Sequence, residues 1–317
     1  MSIIEKAARR IEQESSAARS LAARKTHEDV AAVIEDSAAA AVPPVSPAPT
    51  AAATPATPEP AAQVPAPATA PAAVPVRRPQ LDLDLDRMRD MGMVTAAAGR
   101  TPVVEEFRII KRPLLKHAFA PRTEGDKPNN LIMVTSSLSG EGKTFTAINL
   151  AMSIAMELDH TVLLVDADVA RPSVLGTLGL PAQPGLMDVL LNDKLDVGDV
   201  LLRTNVDTLS ILSAGTSNPR ATELLASQTM RNLVYEIANR YPDRVVIFDS
   251  PPLLLTSEAR VLASHMAQIV MVVEAETTTQ HAVNEALRHL EGCRNVNLLY
   301  NKMRAFPGET TYDYHYG

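Results

Sequence analysis

Residues 131–150 read LIMVTSSLSGEGKTFTAINL, and this stretch decides the fold of the chain. Its first residues are apolar and β-branched, which predicts a buried strand, and its last ones place apolar side chains at helical spacing. Between them lies a turn with two glycines, Gly140 and Gly142, whose backbone can curl so that several N–H groups face one anion. A strand, a glycine-containing loop and a helix in this order are typical of a P-loop. The stretch therefore predicts that the chain binds a nucleoside triphosphate.

The residues of this loop have predicted parts in holding the nucleotide. Lys143 is expected to reach the β- and γ-phosphates, and the Thr144 hydroxyl is expected to bind Mg²⁺. Ser137 stands where the GxxxxGK[ST] pattern has its first glycine, so the motif taken alone is imperfect. The predicted nucleotide-binding residues of the loop are Ser139, Gly140, Glu141, Gly142, Lys143, Thr144 and Phe145.

Composition divides the chain very unevenly. Residues 37–80 are almost wholly Ala, Pro, Thr and Val and contain half of the 24 prolines, which predicts an extended, disordered linker. Residues 1–36 begin with apolar side chains at helical spacing, which predicts a short amphipathic helix that is either a frayed terminus or a docking helix. One P-loop domain is then expected over residues 81–307, followed by a tyrosine-rich tail over residues 308–317.

Charge, cysteine content and hydropathy exclude several classes of protein. The formal net charge of −7 argues against non-specific binding of nucleic acid. Cys293 is the only cysteine in the sequence, which fits a reducing compartment. No apolar run is long enough to predict a membrane span or a signal peptide. We therefore expect a cytoplasmic protein.

From residue 131 onward, candidate strands and helices alternate, and the strands are apolar almost throughout. This pattern is typical of an α/β fold with a doubly wound, mostly parallel sheet flanked by helices. The predicted strands are Leu131–Ser136, Thr161–Val165, Thr208–Leu212, Arg244–Phe248, Ala267–Val273 and Asn295–Tyr300. The clearest predicted helices are Thr144–Met156, Gln228–Arg240, Glu258–His265 and Thr278–Leu290.

Acidic residues follow two of the predicted strands. Ligands of parallel sheets bind at the carboxyl ends of the strands, so these acids are candidate catalytic residues. Asp249 in VVIFDSPP is interpreted as the Walker B acid that holds Mg²⁺. Asp166 in VLLVDAD is expected to contact the metal or to accept a proton from an attacking hydroxyl, whereas Asp168 is either catalytic or a helix cap. Asn301, after the last strand, is either a contact to the adenine base or part of a turn.

Two further segments have open alternatives. Residues 103–115 predict a charged amphipathic helix on which Glu105, Arg108 and Lys111 share one face, either solvated or part of a subunit interface. The last seven residues, TYDYHYG, contain three of the six tyrosines of the chain. These tyrosines, Tyr312, Tyr314 and Tyr316, form an edge strand, a sticky tail or a set of phosphate acceptors.

Taken together, the motifs resemble those of the bacterial tyrosine kinases of exopolysaccharide and capsule export, of the CpsD/CapB type. More narrowly, the chain resembles the exosortase-associated tyrosine autokinases. The resemblance covers residues 103–317 and rests on the serine-first loop SLSGEGKT, on VLLVDAD and FDSPP, on PGLMDVL and NPRATELL, and on the tyrosine tail. Ala170 departs from the family, which usually has a basic residue there.

This resemblance implies ATP- and Mg²⁺-dependent autophosphorylation of the tail tyrosines, in trans between neighbours in a ring. It also implies that Glu105, Arg108 and Lys111 stand at the ExxRxxR ring contact of the family. The implied partners are a membrane-bound, Wzz-like chain-length-determinant protein, which activates the kinase and recruits it to the inner face of the membrane, and a protein tyrosine phosphatase. Two alternatives remain: a non-catalytic ATP-binding scaffold, and a MinD/ParA-like ATPase, whose signature lysine is replaced here by Leu138.

Overall fold

The computed structural model describes residues 80–96, 99–122 and 127–304, all within a unit that runs from Ala73 to Gly317. The predicted N-terminal helix (1–36), nearly all of the predicted linker (37–80) and the tail (308–317) lie outside the described residues. Within them, eight strands form one sheet. They are β1 (Gln80–Leu81), β2 (Leu131–Ser136), β3 (Thr161–Asp166), β4 (Leu202–Thr204), β5 (Leu209–Leu212), β6 (Arg244–Asp249), β7 (Gln268–Glu274) and β8 (Val296–Asn301).

The strand order is β1-β4-β5-β3-β6-β2-β7-β8. All neighbouring strands are parallel except β4 and β5, which pair antiparallel. The six predicted strands are thus confirmed to within one or two residues, and the predicted doubly wound α/β fold is confirmed. The short strands β1 and β4 at one edge were not predicted, because two or three residues are too few to show a period.

Ten helices connect the strands in the described part of the chain. They are α1 (Leu85–Asp90), α2 (Pro102–Ala118), α3 (Lys143–Ala155), α4 (Val174–Leu178), α5 (Leu186–Leu191), α6 (Val197–Val200), α7 (Ala221–Leu225), α8 (Gln228–Asn239), α9 (Ser257–Ala263) and α10 (Gln280–Arg288). None of these helices is long and apolar enough to cross a membrane.

The helices cover both faces of the sheet. In one core cluster, side chains of helices α1–α4 pack against strand residues such as Ile132 and Val134. In the other, side chains of helices α5–α10 pack against strand residues such as Met133 and Phe248. Successive residues of a strand point to opposite faces, so a strand covered on both sides is buried at every position and is largely apolar. This explains why all six residues of β2 are buried.

The strand order also brings the functional loops together. Strand β2, which leads into the P-loop, lies between β6 and β7, and β3 lies on the far side of β6. Asp166 and Asp249, the last residues of β3 and β6, are register partners on these two adjacent strands. The carboxyl ends of β2, β3 and β6 therefore form one edge of the sheet, as expected for ligand binding in such folds.

Candidate active site

The P-loop connects β2 to α3 and has the backbone shape that an anion requires. Gly140 and Gly142 have φ values of 90° and 99°, in the left-handed region that favours glycine. Gly142 is the N-cap of α3 and, lacking a side chain, leaves the first amide groups of the helix without a side-chain cap. Those amides and the positive end of the helix dipole can bind a phosphate.

Lys143 forms an ion pair inside the site. Its Nζ lies 3.0 Å from Asp168 Oδ2, and the two side chains are 13% and 5% exposed. Asp168 Oδ1 also accepts a hydrogen bond from the Arg171 backbone amide at 3.2 Å. One oxygen of Asp168 therefore stabilises the following turn and the other holds the P-loop lysine, and a catalytic role for Asp168 stays a prediction.

Thr144 and Asp249 meet at the predicted metal site. The Thr144 hydroxyl donates to Asp249 Oδ2 at 2.7 Å and lies 2.8 Å from the Ser173 hydroxyl. Asp249 is fully buried, and its other oxygen, Oδ1, has no hydrogen-bond partner. Burial raises the pKa of Asp249 to about 7, against the lowering effect of Lys143. A half-buried hydroxyl beside an unpartnered carboxylate oxygen fits the oxygen ligands that Mg²⁺ prefers.

Asp166 is held by backbone amides. Its Oδ2 accepts hydrogen bonds from Ser173 and Val174 at 3.0 Å, and its Oδ1 accepts one from Asp168 at 3.3 Å. Burial nonetheless raises the pKa of Asp166 to about 6. The carboxylate thus fixes the start of α4 against the end of β3, and its raised pKa suits a proton acceptor near neutral pH.

On the opposite side, the P-loop is held by residues of the β7 and β8 ends. The Glu141 carboxylate is buried and accepts hydrogen bonds from the Leu138 amide at 2.6 Å and from the Thr278 hydroxyl. Asn301 Nδ2 donates to the Glu141 carbonyl at 2.9 Å, and Lys302 Nζ donates to the Gly140 carbonyl at 2.7 Å. These contacts fix the loop in the shape that surrounds an anion.

The other predicted binding residues lie at this loop. Ser139 is exposed, and Phe145 is half-buried and packs against the core of α1 to α4. Asn301 contacts the loop backbone, and its predicted contact to the adenine base stays a prediction. The contacts of Thr278 and Ser173 were not predicted from the sequence, because only the fold brings these hydroxyls to the loop. Lys302 was not predicted as a loop contact either, although it directly follows the predicted binding residue Asn301.

The predicted interface residues on α2 do not all share one face. Glu105 and Arg108 form an exposed ion pair at 2.5 Å. Lys111 is buried: its Nζ donates to the Ser153 carbonyl at 2.6 Å and lies 2.5 Å from a Glu157 oxygen. The expectation of a common face is therefore wrong for Lys111, because two i+3 steps turn the side chain toward α3. An interface role remains a prediction for Glu105 and Arg108, and Tyr312, Tyr314 and Tyr316 lie outside the described residues.

Comparisons with known proteins agree with this geometry. A family model described as an AAA domain matches residues 129–302. The tyrosine-protein kinase YwqD of Bacillus subtilis is 34% identical over 170 residues, which are 54% of this chain and 70% of that protein. The tyrosine-protein kinase CpsD of Streptococcus agalactiae is 29% identical over 179 residues, covering 56% of this chain and 77% of that protein.

Solved structures give the same result. The kinase domain of the Escherichia coli tyrosine kinase ETK matches with a TM-score of 0.57 and 25% identity, covering 73% of this chain and 98% of that domain. The VpsO kinase domain matches with a TM-score of 0.55 and 27% identity, covering 69% of this chain and 98% of that domain. The chain therefore belongs to the bacterial tyrosine-protein kinases.

Proposed function

We propose that this chain is an ATP-dependent tyrosine autokinase that transfers the γ-phosphoryl group of ATP to tyrosines of its own C-terminal tail. The observation that carries the proposal is the pairing of both P-loop side chains with acids on adjacent strand ends. Lys143 contacts Asp168, and Thr144 contacts Asp249. An arrangement of this kind positions phosphates and balances the charge of phosphoryl transfer. The kinases to which the chain is similar support the same activity.

Each residue of the site has a distinct part in the proposed reaction. The loop amides and Lys143 bind the phosphates, and Lys143 offsets the charge that develops on the transferred group. Thr144 and Asp249 would hold Mg²⁺, which supplies charge neutralisation of the phosphate oxygens when bound. Asp166 accepts the proton of the tyrosine hydroxyl as the tyrosine oxygen bonds to the γ-phosphorus and ADP leaves.

The acceptors proposed are Tyr312, Tyr314 and Tyr316, phosphorylated in trans within a homo-oligomeric ring. A modified tyrosine gains about −1.5 to −2 charges, so clustered phosphates repel one another and favour ring disassembly. We further propose a Wzz-like membrane protein as activator and membrane anchor, a tyrosine phosphatase as the reversing enzyme, and regulation of exopolysaccharide export as the purpose. The support for these partners is the family resemblance of the motifs.

The experiment that tests the function is incubation of the purified chain with Mg-ATP, followed by mapping of phosphotyrosine by mass spectrometry. The wild-type chain is expected to be labelled on the tail tyrosines, with label increased by an activator peptide. The variant Lys143→Met is expected to lose all label, because it lacks the cation that binds the phosphates. Lys194→Met, at an exposed lysine outside the site, is the matched control and should label normally.

Two outcomes contradict the proposal. Release of phosphate without labelled protein would instead identify an ATPase of the MinD/ParA kind. Binding of ATP with neither turnover nor label would identify a non-catalytic scaffold.

A further inference from the structure

A cavity lies at the edge of the sheet opposite the P-loop. It is bounded by the C-terminal end of α2 and by the residues that come just before β2, β7 and β8. The P-loop and the acids of the candidate active site lie at the carboxyl ends of the strands, so they take no part in it. The cavity has a volume of about 420 Å³. Sites for small molecules measure roughly 300–1,000 Å³, so there is room for one small organic molecule.

The walls of this cavity are positively charged. Arg122, Lys127 and Arg294 line it, and His117 adds an imidazole, whereas none of the described residues that line it is acidic. The chain as a whole has the opposite balance, with 37 acidic and 30 basic residues. The three cations come from two distant parts of the sequence and are brought to one place by the fold.

Lys127 is fixed at the wall, and its charge acts on neighbouring groups. Its Nζ donates to the Met266 carbonyl at 3.2 Å, a bond that uses one of the three N–H donors of the ammonium group. Burial, Arg231 and Lys127 lower the pKa of His265. Burial raises the pKa of Cys293, against the lowering effect of Lys127. Both effects of Lys127 follow from a positive potential at this end of the sheet.

The end of helix α2 does not account for this much positive charge. The helix ends at Ala118, and the C-terminal end of a helix carries about −0.5 charge that acts only within the last turn. Lys116 and His117 already lie in that turn. Arg122 and Lys127 follow the helix in the chain, so they add charge beyond what the helix end requires.

Hydrogen bonds between the segments hold the cavity in shape. Gln268, the first residue of β7, is fully buried, and its Nε2 donates to the carbonyls of Leu114 at 3.2 Å and Asn129 at 2.9 Å. Asn129 Nδ2 in turn donates to the Ala120 carbonyl at 3.2 Å. These bonds connect the end of α2 to the beginnings of β2 and β7. The walls are therefore formed before any ligand binds, as is usual for small-molecule sites.

The chemistry of the walls selects the ligand. A phosphate ester carries about −1.5 to −2 charges at neutral pH and three strong acceptor oxygens, which suits several cations better than a single carboxylate does. Arginine binds phosphate through two parallel N–H donors, and lysine binds it as a point charge. Apolar side chains such as Ala120, Pro121 and Met266 line the same cavity and can pack against a carbon body.

From these observations we propose that the cavity binds a small organic phosphate, with the phosphate against Arg122, Lys127 and Arg294 and the carbon body against Pro121 and Met266. The inference goes beyond the proposed function, because it assigns a second ligand site at the other end of the sheet. It holds whether or not the chain transfers phosphate to tyrosine.

The test is calorimetric titration of the full-length chain, without nucleotide, with glucose 6-phosphate as the probe. We expect a dissociation constant of about 1 mM or lower, which is a modest affinity for a ligand of this size. Glucose, the matched compound without the phosphate, should not bind. The affinity for glucose 6-phosphate should also fall as the salt concentration is raised, because ions screen the charges of the site.

Variants locate the binding. Lys127→Met and Arg294→Met change exposed residues of the cavity, and each should lower the affinity about tenfold, as for loss of a hydrogen bond to a charged group. Lys116→Met removes an exposed lysine that does not line the cavity and should bind like the wild type. Lys143→Met, which lacks the P-loop cation, should also bind like the wild type. Melting temperatures without ligand, equal to that of the wild type, show that the variants are folded.

Four outcomes would overturn the proposal. They are no binding to the wild type, equal binding of glucose, full affinity in both cavity variants, and loss of binding in Lys143→Met, which would place the phosphate at the P-loop. A final arm mixes the chain with vesicles that contain phosphatidic acid. Cosedimentation that depends on Lys127 and Arg294, without binding of glucose 6-phosphate, would assign the site to a lipid phosphate and overturn the free ligand.

Discussion

The two sides of the P-loop are stabilised by different interactions. Toward β7 and β8, the loop is held mainly by hydrogen bonds to its backbone. The Glu141 carboxylate accepts one from the Leu138 amide, and Asn301 and Lys302 each donate one to a loop carbonyl. Toward β3 and β6, it faces the buried carboxyl groups of Asp166 and Asp249, whose pKa values burial raises to about 6 and about 7. The first side fixes the shape of the loop, and the second concentrates negative charge that a nucleotide-bound cation would neutralise.

If this comparison is right, the buried carboxyl groups of Asp166 and Asp249 should lower the stability of the folded protein although they support its activity. Asp249→Asn is therefore expected to abolish autophosphorylation and also to raise the melting temperature of the nucleotide-free protein at pH 8. The ordinary Asp pKa of 3.8 rises to about 7 on folding, so at pH 8 the ionised group is buried at a cost. One pKa unit corresponds to about 1.4 kcal/mol, so the substitution can increase the free energy of unfolding by at most a few kcal/mol.

The pH dependence gives the sign of this effect. Between pH 3.8 and about 7 the folded Asp249 binds more protons than the unfolded one, so its burial cost grows as the pH rises through that window. Thermal melts of wild type and Asp249→Asn should differ most at pH 8 and converge toward pH 4. Asp193→Asn, at an exposed carboxyl outside the site, is the control and should melt like the wild type at pH 8. A variant that is less stable than wild type at pH 8 would contradict the charge argument.

Substitutions on the side toward β7 and β8 should have the opposite effect. They should lower the affinity for ATP and should not increase the stability of the protein. A Cβ at Gly142 would lie 2.1 Å from Asn301 Nδ2, in a backbone conformation with φ of +99°. Gly142→Ala must therefore displace Asn301 and break its bond to Glu141, and we expect at least a tenfold loss of affinity for ATP, measured by calorimetry.

The matched control for this glycine is Gly92→Ala. Gly92 has a φ of +74°, but a Cβ there meets no atom within 4 Å. This variant carries the same kind of backbone strain without the clash and should bind ATP like the wild type. Equal losses from both variants would show that strain alone, and not the contact to Asn301, explains the effect.

The two sides also differ in how far they could be predicted from the sequence. The acids Asp166 and Asp249 were predicted because they follow apolar strands, and strand ends are where parallel sheets bind ligands. The hydrogen bond from Thr278 to Glu141 joins residues 137 positions apart, and no local period carries such a contact. The same holds for Lys111. Its spacing within the helix could be predicted from the sequence, whereas its ion pair with Glu157 depends on how α2 packs against α3.

Removal of that single long-range bond should have a moderate effect. Thr278→Val keeps the shape of the side chain but removes the hydroxyl that donates to Glu141. A hydrogen bond to a charged group contributes about 1.5–3 kcal/mol, and since Glu141 keeps its bond to Leu138, we expect the lower part of that range. The affinity for ATP should fall about tenfold, as measured by calorimetry. The control is Thr277→Val, which changes the exposed neighbouring residue and should bind ATP normally. Equal losses of affinity in Thr278→Val and Thr277→Val would show that the turn as a whole, and not the bond to Glu141, is responsible.

The smallest effect is expected at Lys302, whose side chain is 47% exposed and lies 3.0 Å from Glu274 as well as 2.7 Å from the Gly140 carbonyl. Exposed charged contacts contribute about 0.2–1 kcal/mol, so Lys302→Met should lower the affinity for ATP by no more than about fivefold. Ions screen exposed charges, so the difference from wild type should shrink as salt is raised to about 0.5 M. Arg304→Met removes a longer and more exposed contact, 3.9 Å from Glu276, and is the control for loss of positive charge near the site. A loss that exceeds that of Thr278→Val would mean that the end of β8, and not Glu141, is the main support of the loop.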